Sequence, residues 1–127
     1  LLIINVHALN FMPVPYVKDQ LQVLYEAART HGGPMVVCGD FNTWNGSRIK
    51  AVQQFAAKLG LFEALAYHDK GGMPSRWAYL VDPFIEIQMD ATLDRVFCRG
   101  MNVIECRRLD SFTGADHPPI LLRVKIH

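Results

Sequence analysis

The chain predicts an α/β or α+β fold in which helices cover a sheet. Short, β-branched apolar runs alternate with two longer stretches whose apolar residues recur at helical spacing. Glycine and proline fall between these stretches, where the chain must turn. The last third carries three more strand-like runs with no helical pattern between them.

Residues 1–6, Leu-Leu-Ile-Ile-Asn-Val, read as a short buried strand. A loop containing Pro13 and Pro15 follows. A helix is expected over about 14–31, because Val17, Leu21, Leu24 and Ala28 fall at steps of four, three and four and make one apolar face. Gly32-Gly33-Pro34 should end it, with glycine supplying a left-handed cap and proline blocking continuation. Residues 35–38 read as a second buried strand, and 39–46 as a polar loop at its carboxyl end. Ser47 reads as the N-cap of a second helix over about 48–59, buried through Ile49, Val52, Phe55, Ala56 and Leu59 and closed by Gly60. The stretch 61–90 has turn signals at 70–74 and at Asp82-Pro83, and reads as long loops with at most one short strand. Residues 92–98, 103–109 and 120–126 read as strands, with a hairpin-like turn over 99–102 joining the first two.

Thirteen Lys and Arg against twelve Asp and Glu leave a net charge of +1, and half of the 127 residues are hydrophobic. That balance excludes a disordered chain and weighs against a dominant nucleic-acid footprint. No apolar run reaches the ~18 residues of a membrane span. Cys38, Cys98 and Cys106 form no CxxC and stand at no zinc-finger spacing, so buried thiols and a reducing, cytoplasmic compartment are expected. The sequence opens in mid-strand, without an initiator Met or a basic leader, which predicts that earlier strands of the domain are absent.

The polar residues that stand out sit at predicted strand ends, a preferred place for sites in α/β sheets. Asn5 and His7 are two apart and share a face. Asp40 and Asn42 follow the second strand. Asp94 lies in an otherwise apolar strand, and Asp116-His117 precede Pro118-Pro119. Carboxylate and amide oxygens suit Mg²⁺ or Mn²⁺ rather than zinc. Histidines move protons near neutral pH, and a carboxylate can hold an imidazole in one tautomer. A metal, a positioned water and imidazole together describe attack on a phosphate ester. Each residue also has a plain reading. A strand Asp often faces water, Asp-His-Pro-Pro is a turn, and Gly-Asp-Phe-Asn can simply lead into a helix.

Four motifs occur in order: Asn5-Val6-His7-Ala8-Leu9, Gly39-Asp40-Phe41-Asn42-Thr43, Leu93-Asp94-Arg95-Val96-Phe97 and Ala115-Asp116-His117-Pro118-Pro119-Ile120. In this order they resemble the C-terminal half of the endonuclease/exonuclease/phosphatase superfamily, and within it a little-characterised bacterial branch. The resemblance implies a DNase I-like four-layer α/β sandwich and Mg²⁺- or Mn²⁺-dependent hydrolysis of phosphodiester or phosphomonoester bonds. It implies that His7 contacts the scissile phosphate and protonates the leaving group, with Asn5 supporting it. Asp40 and Asn42 would position the attacking water and hold a phosphate oxygen or the metal, and Asp116 would be a metal carboxylate. His117 would bind the phosphate or act as base, oriented by Asp94.

The family also places an Asn and a metal-binding Glu in its N-terminal half. No acidic residue precedes Asp19 here, so neither has a candidate, and weak Mg²⁺ binding is expected of this stretch alone. Trp44, and Arg76 and Trp77 in the long loop, are candidates for substrate contact, because aromatic rings beside arginine stack on bases and neutralise phosphate. Arg95, Arg99, Arg107 and Arg108 add positive charge near one hairpin, and two of them are expected to face solvent unpartnered. Expected partners are a phosphate-ester substrate, with nucleic acid among the classes, and either a second copy or an N-terminal segment over an exposed sheet face. The competing function is a non-catalytic interaction or scaffold domain that retains the fold.

Overall fold

In a computed structural model of the chain, residues 1–64, 93–109 and 117–126 are described. Within them the chain runs β1 (Leu2–His7), α1 (Val14–Ala28), β2 (Met35–Asp40), α2 (Gly46–Lys58), β3 (Phe62–Glu63), β4 (Asp94–Arg99), β5 (Met101–Arg108) and β6 (Ile120–Ile126). Four strands form one sheet in the order β1-β2-β4-β3, and β5 and β6 form a second. The β1–β2 pair is parallel, joined across α1, as parallel pairing requires a crossover. β4 runs antiparallel to both β2 and β3.

Alternation along the strands separates two apolar layers. Leu2, Ile4, Val6, Met35, Val37 and Phe97 point to one face of the first sheet and pack on Val17, Leu21 and Ala28 of α1 and Val52, Phe55 and Ala56 of α2. Val36, Val96 and Cys98 point to the other face and meet Met101 and Cys106 of the second sheet. The result is helices, sheet and sheet, stacked in that order. In β5 the register shifts between Val103 and Glu105. The extra residue of this bulge lets both Val103 and Cys106 face the interior, although three positions separate them.

Several expectations need correction. β1 is not fully buried: among the described residues it lies at one edge of its sheet, and only its even positions meet the helices, while Leu1 and Ile3 are exposed. The second sheet covers β2 and β4, and among the described residues the apolar layer between the sheets contains none from β1. α1 ends at Ala28, with Arg29 as its cap in the right-handed region, so Gly32 and Gly33 do not cap it. The N-cap of α2 is Asn45, whose Oδ1 accepts the Arg48 N–H at 2.9 Å, and Ser47 already lies inside the helix. Gly60 does close α2, at φ +66. Residues 99–102 are not a hairpin turn, because β4 and β5 belong to different sheets. The arginines are partnered rather than idle. Arg95 binds Glu63, Arg107 binds Glu105, and Arg99 donates to the carbonyls of Leu59 and His31. Arg108 is also engaged.

Candidate active site at the strand ends

The β-register sets the site. His7 pairs with Asp40 across β1 and β2, and Asp40 pairs with Asp94 across β2 and β4. Paired residues point to the same face of a sheet, so these three side chains form one row at the carboxyl ends of β1 and β2. The row lies on the face turned toward the second sheet, the same face as Val36 and Cys38. Two residues back, Asn5, Cys38 and Val96 form the next row.

Two carboxylates directly opposite one another repel. Each is met by a counter-group. His117, arriving just before β6, places Nδ1 2.6 Å from Asp94 Oδ2. Asp40 Oδ1 accepts the Asn42 backbone N–H at 2.7 Å, an Asx turn that aims the carboxylate. Asp40 Oδ2 lies 3.9 Å from His7 Nε2, beyond hydrogen-bond distance, and the His7 side chain is 81% exposed. The Asn42 N–H thus engages Oδ1 of Asp40, and the Asp40 side chain as a whole is partly exposed.

The loop after β2 is held from below. Asn42 is 1% exposed, sits at φ +49 and donates its side-chain amide to the Ala8 carbonyl at 2.7 Å. Arg95, buried under the sheet, donates to Thr43 Oγ1 at 2.9 Å and to Glu63 at 2.5 Å. Phe41 meets Phe97 edge-on, with ring centroids 5.5 Å apart. Gly39 permits the close approach of β1. At φ +129, a Cβ there would lie 2.1 Å from the Val6 carbonyl oxygen and 2.8 Å from Asn5 Oδ1.

A cleft of about 290 Å³ opens beside the row, lined by Asn5, Cys38, Gly39, Asp94 and Val96 from the first sheet and by His117 to Ile120 and Leu122 opposite. Cys38 is half-buried and Cys98 and Cys106 are buried; all three are free thiols. Burial raises all three thiols, pushing Cys98 up to about 11, helped by the neighbouring Cys106 and Cys38, and Cys106 up to about 11. None has the character of a nucleophile, which needs a lowered pKa.

The structure thus brings together Asn5, His7, Asp40, Asn42, Asp94 and His117 from four separate stretches of sequence. Trp44 is close by in the same loop, but its indole N–H donates to Asn10 Oδ1 at 3.2 Å and its ring lies 4.8 Å from the Arg48 guanidinium carbon. Asp116, Arg76 and Trp77 lie outside the described residues. Among the described residues no group of three or more His, Cys, Asp or Glu is close enough to hold a metal. A Mg²⁺ ion keeps several of its waters and takes only one or two carboxylates, and the partly exposed carboxylate of Asp40 is the kind of ligand such an ion takes. Sequence reasoning missed Arg48 and placed Arg95 only as charge near a hairpin; among the described residues these are the two buried cations, and both lie beneath the loops. Arg95 had one signal: strand alternation puts it on the opposite face from Asp94, under the sheet.

Two packed sheets with helices on one outer face, and a polar row of Asp and His at the strand ends, define an α/β protein of the sandwich type. Within that class the chain belongs to the endonuclease/exonuclease/phosphatase family, whose sequence model matches residues 4–117. The family has a DNase I-like fold, and its members generally use divalent metals. The chain is similar to a UPF0294 protein of Erwinia tasmaniensis, at 33% identity over all of this chain and 42% of that protein. It is similar also to UPF0294 proteins of Yersinia enterocolitica and Yersinia pestis, at 32% and 30% identity over 96% of this chain and 42% of each relative. These relatives form a little-characterised bacterial group. The chain therefore spans less than half the length of the curated relatives it matches. Among the described residues no helix is long and apolar enough to cross a membrane.

Proposed function

We propose that this chain carries the C-terminal part of a divalent-metal-dependent phosphodiester hydrolase site. The observation that carries the reading is the Asp40–Asp94 pair in one row, with His117 Nδ1 2.6 Å from Asp94 Oδ2. An ionised Asp94 accepts only, so it fixes the proton on Nδ1 of His117 and leaves Nε2 as the basic nitrogen. Nε2 takes a proton from the attacking water as its oxygen bonds to phosphorus, and Asp94 stabilises the imidazolium that forms. Asp40 orients the water, and Asn42 keeps the Asp40 carboxylate in place through the loop. His7, exposed and next in the row, returns a proton to the leaving oxygen as the old P–O bond breaks. Asn5 and Trp44 contact the substrate, and so do Arg76 and Trp77.

Asp40, with Asp116, would hold the Mg²⁺ or Mn²⁺ ion, whereas Asn42, expected as a ligand, is buried on the Ala8 carbonyl and acts only by holding the loop. When bound, the ion neutralises phosphate charge and polarises the P–O bonds. Replacing His117 or Asp40 by Ala in the full encoded protein is expected to abolish hydrolysis of a simple phosphodiester while the melting curve stays cooperative. Full activity in either variant would refute the assignment.

A further inference from the structure

Arg48 is the second residue past the start of α2 proper and is fully buried. A buried guanidinium is costly unless paired. Among the described residues it meets no carboxylate; it is spent instead on backbone. Nη1 donates to the Leu9 carbonyl at 2.7 Å and, more weakly, to the Asn42 carbonyl at 3.4 Å, and Nη2 donates to the Met12 carbonyl at 2.5 Å. The Trp44 ring lies against it, and Nε is buried without a partner. These contacts join two loops that are distant in sequence: residues 8–13 after β1, and residues 41–45 after β2. The first loop follows His7, and the second follows Asp40. Between Leu9 and Met12 sits Phe11, 87% exposed and at φ +53, a conformation that a bulky residue keeps only when its surroundings enforce it.

We propose that Arg48 is a positioning residue that clamps the loop after β1 to the loop after β2 and thereby fixes the row of His7, Asp40 and Asp94. Its fork of donors reaches carbonyls on both loops at once, which a lysine ammonium on a flexible stem does not reproduce. Asn42 transmits the clamp. Its carbonyl accepts from Arg48, its side chain binds Ala8, and its N–H aims Asp40. The catalytic consequence rests on the phosphodiesterase reading; the clamp itself does not.

The test compares the full encoded protein with its Arg48→Met and Arg48→Lys variants. Amide hydrogen exchange is read separately for peptides covering 8–13, 41–45 and α1. In Arg48→Met both loops are expected to exchange about tenfold faster, in step, while α1 is unchanged. The kcat for bis-p-nitrophenyl phosphate is expected to fall by about tenfold to a hundredfold with KM nearly constant, as misplacement of a catalytic group does. Arg48→Lys, which keeps the charge, is expected to show the same coupled loosening in smaller measure, and it serves if the Met variant does not fold. Unchanged exchange, or acceleration in only one loop, overturns the clamp. Faster loops with an unchanged kcat overturn the positioning role. If the parent protein hydrolyses no ester, the function reading fails, and the exchange data alone decide the clamp.

Discussion

Asp94 is followed in its strand by four buried residues, and among the described residues its side chain meets Nδ1 of His117 at 2.6 Å. In an acid–base pair of this kind the carboxylate fixes the imidazole tautomer and supplies negative charge; an amide has no charge and can donate to Nδ1, which favours the wrong tautomer. Asp94→Asn is therefore expected to lower kcat by about 10²-fold or more, while the melting temperature moves by only a few degrees, because the pair is partly exposed. Steady-state kinetics and a thermal melt on the same preparation check both halves. A variant with parental kcat would make the Asp94–His117 contact a surface ion pair and nothing more. At this scale the sequence was most readable where a polar residue broke an apolar pattern: Asp94 in its strand, and Asp40 just past Val36 and Val37. Arg48 was not readable. Helical periodicity assigns a charged residue to the solvent face, and only the carbonyls of Leu9, Asn42 and Met12, which folding brings together, explain a buried one.

The β1–β2 pair is the element on which the site depends, because its register sets His7 beside Asp40. Gly39 lets the two strands approach. In Gly39→Ala the new methyl would meet the Val6 carbonyl at 2.1 Å, in a backbone conformation hostile to a side chain. A loss of about 2 kcal/mol or more is expected, read as a lower denaturant midpoint. Gly46→Ala is the control. Nothing lies within 4 Å of its added Cβ, and alanine in the first turn of α2 should be neutral or stabilising by up to about 1 kcal/mol. Equal midpoints for the two variants would contradict the close approach. Both helices and most strands were legible, since their apolar spacing is a local property. Boundaries and connections were less so. Asn45 and Ser47 are both good caps, and the choice fell to the one whose oxygen reaches the Arg48 N–H. Residues 99–102 carry turn chemistry that fits either a hairpin or a step between sheets, and sheet membership is decided by contacts distant in sequence.

In the molecule as a whole, the layer between the two sheets holds Cys98 and Cys106, with Cys38 at its edge. Their neutral thiols are compatible with this layer and their thiolates are not. Burial pushes the Cys98 and Cys106 thiols from 9.0 up to about 11 in the folded protein. The unfolded chain thus loses these protons first as pH rises. Their contribution to stability is complete below pH about 9 and is lost as pH climbs through about 11. Denaturant midpoints measured between pH 8 and 11 are expected to fall, and to fall less steeply in Cys98→Ala; equal slopes would mean that the thiol does not titrate on unfolding. The layered fold was legible from the order of elements, whereas the site became visible as a unit only when β1, β2, β4 and the segment before β6 were assembled. Its hydrolytic role is tested most directly by the initial rate of bis-p-nitrophenyl phosphate cleavage by the full encoded protein, with Mg²⁺, with Mn²⁺ and with EDTA, alongside His117→Ala. Metal-dependent turnover that is abolished by EDTA and by the substitution is the expected result. Absence of turnover with either metal, or turnover indifferent to both EDTA and His117→Ala, would contradict the assignment of this strand-end row as a phosphodiesterase site.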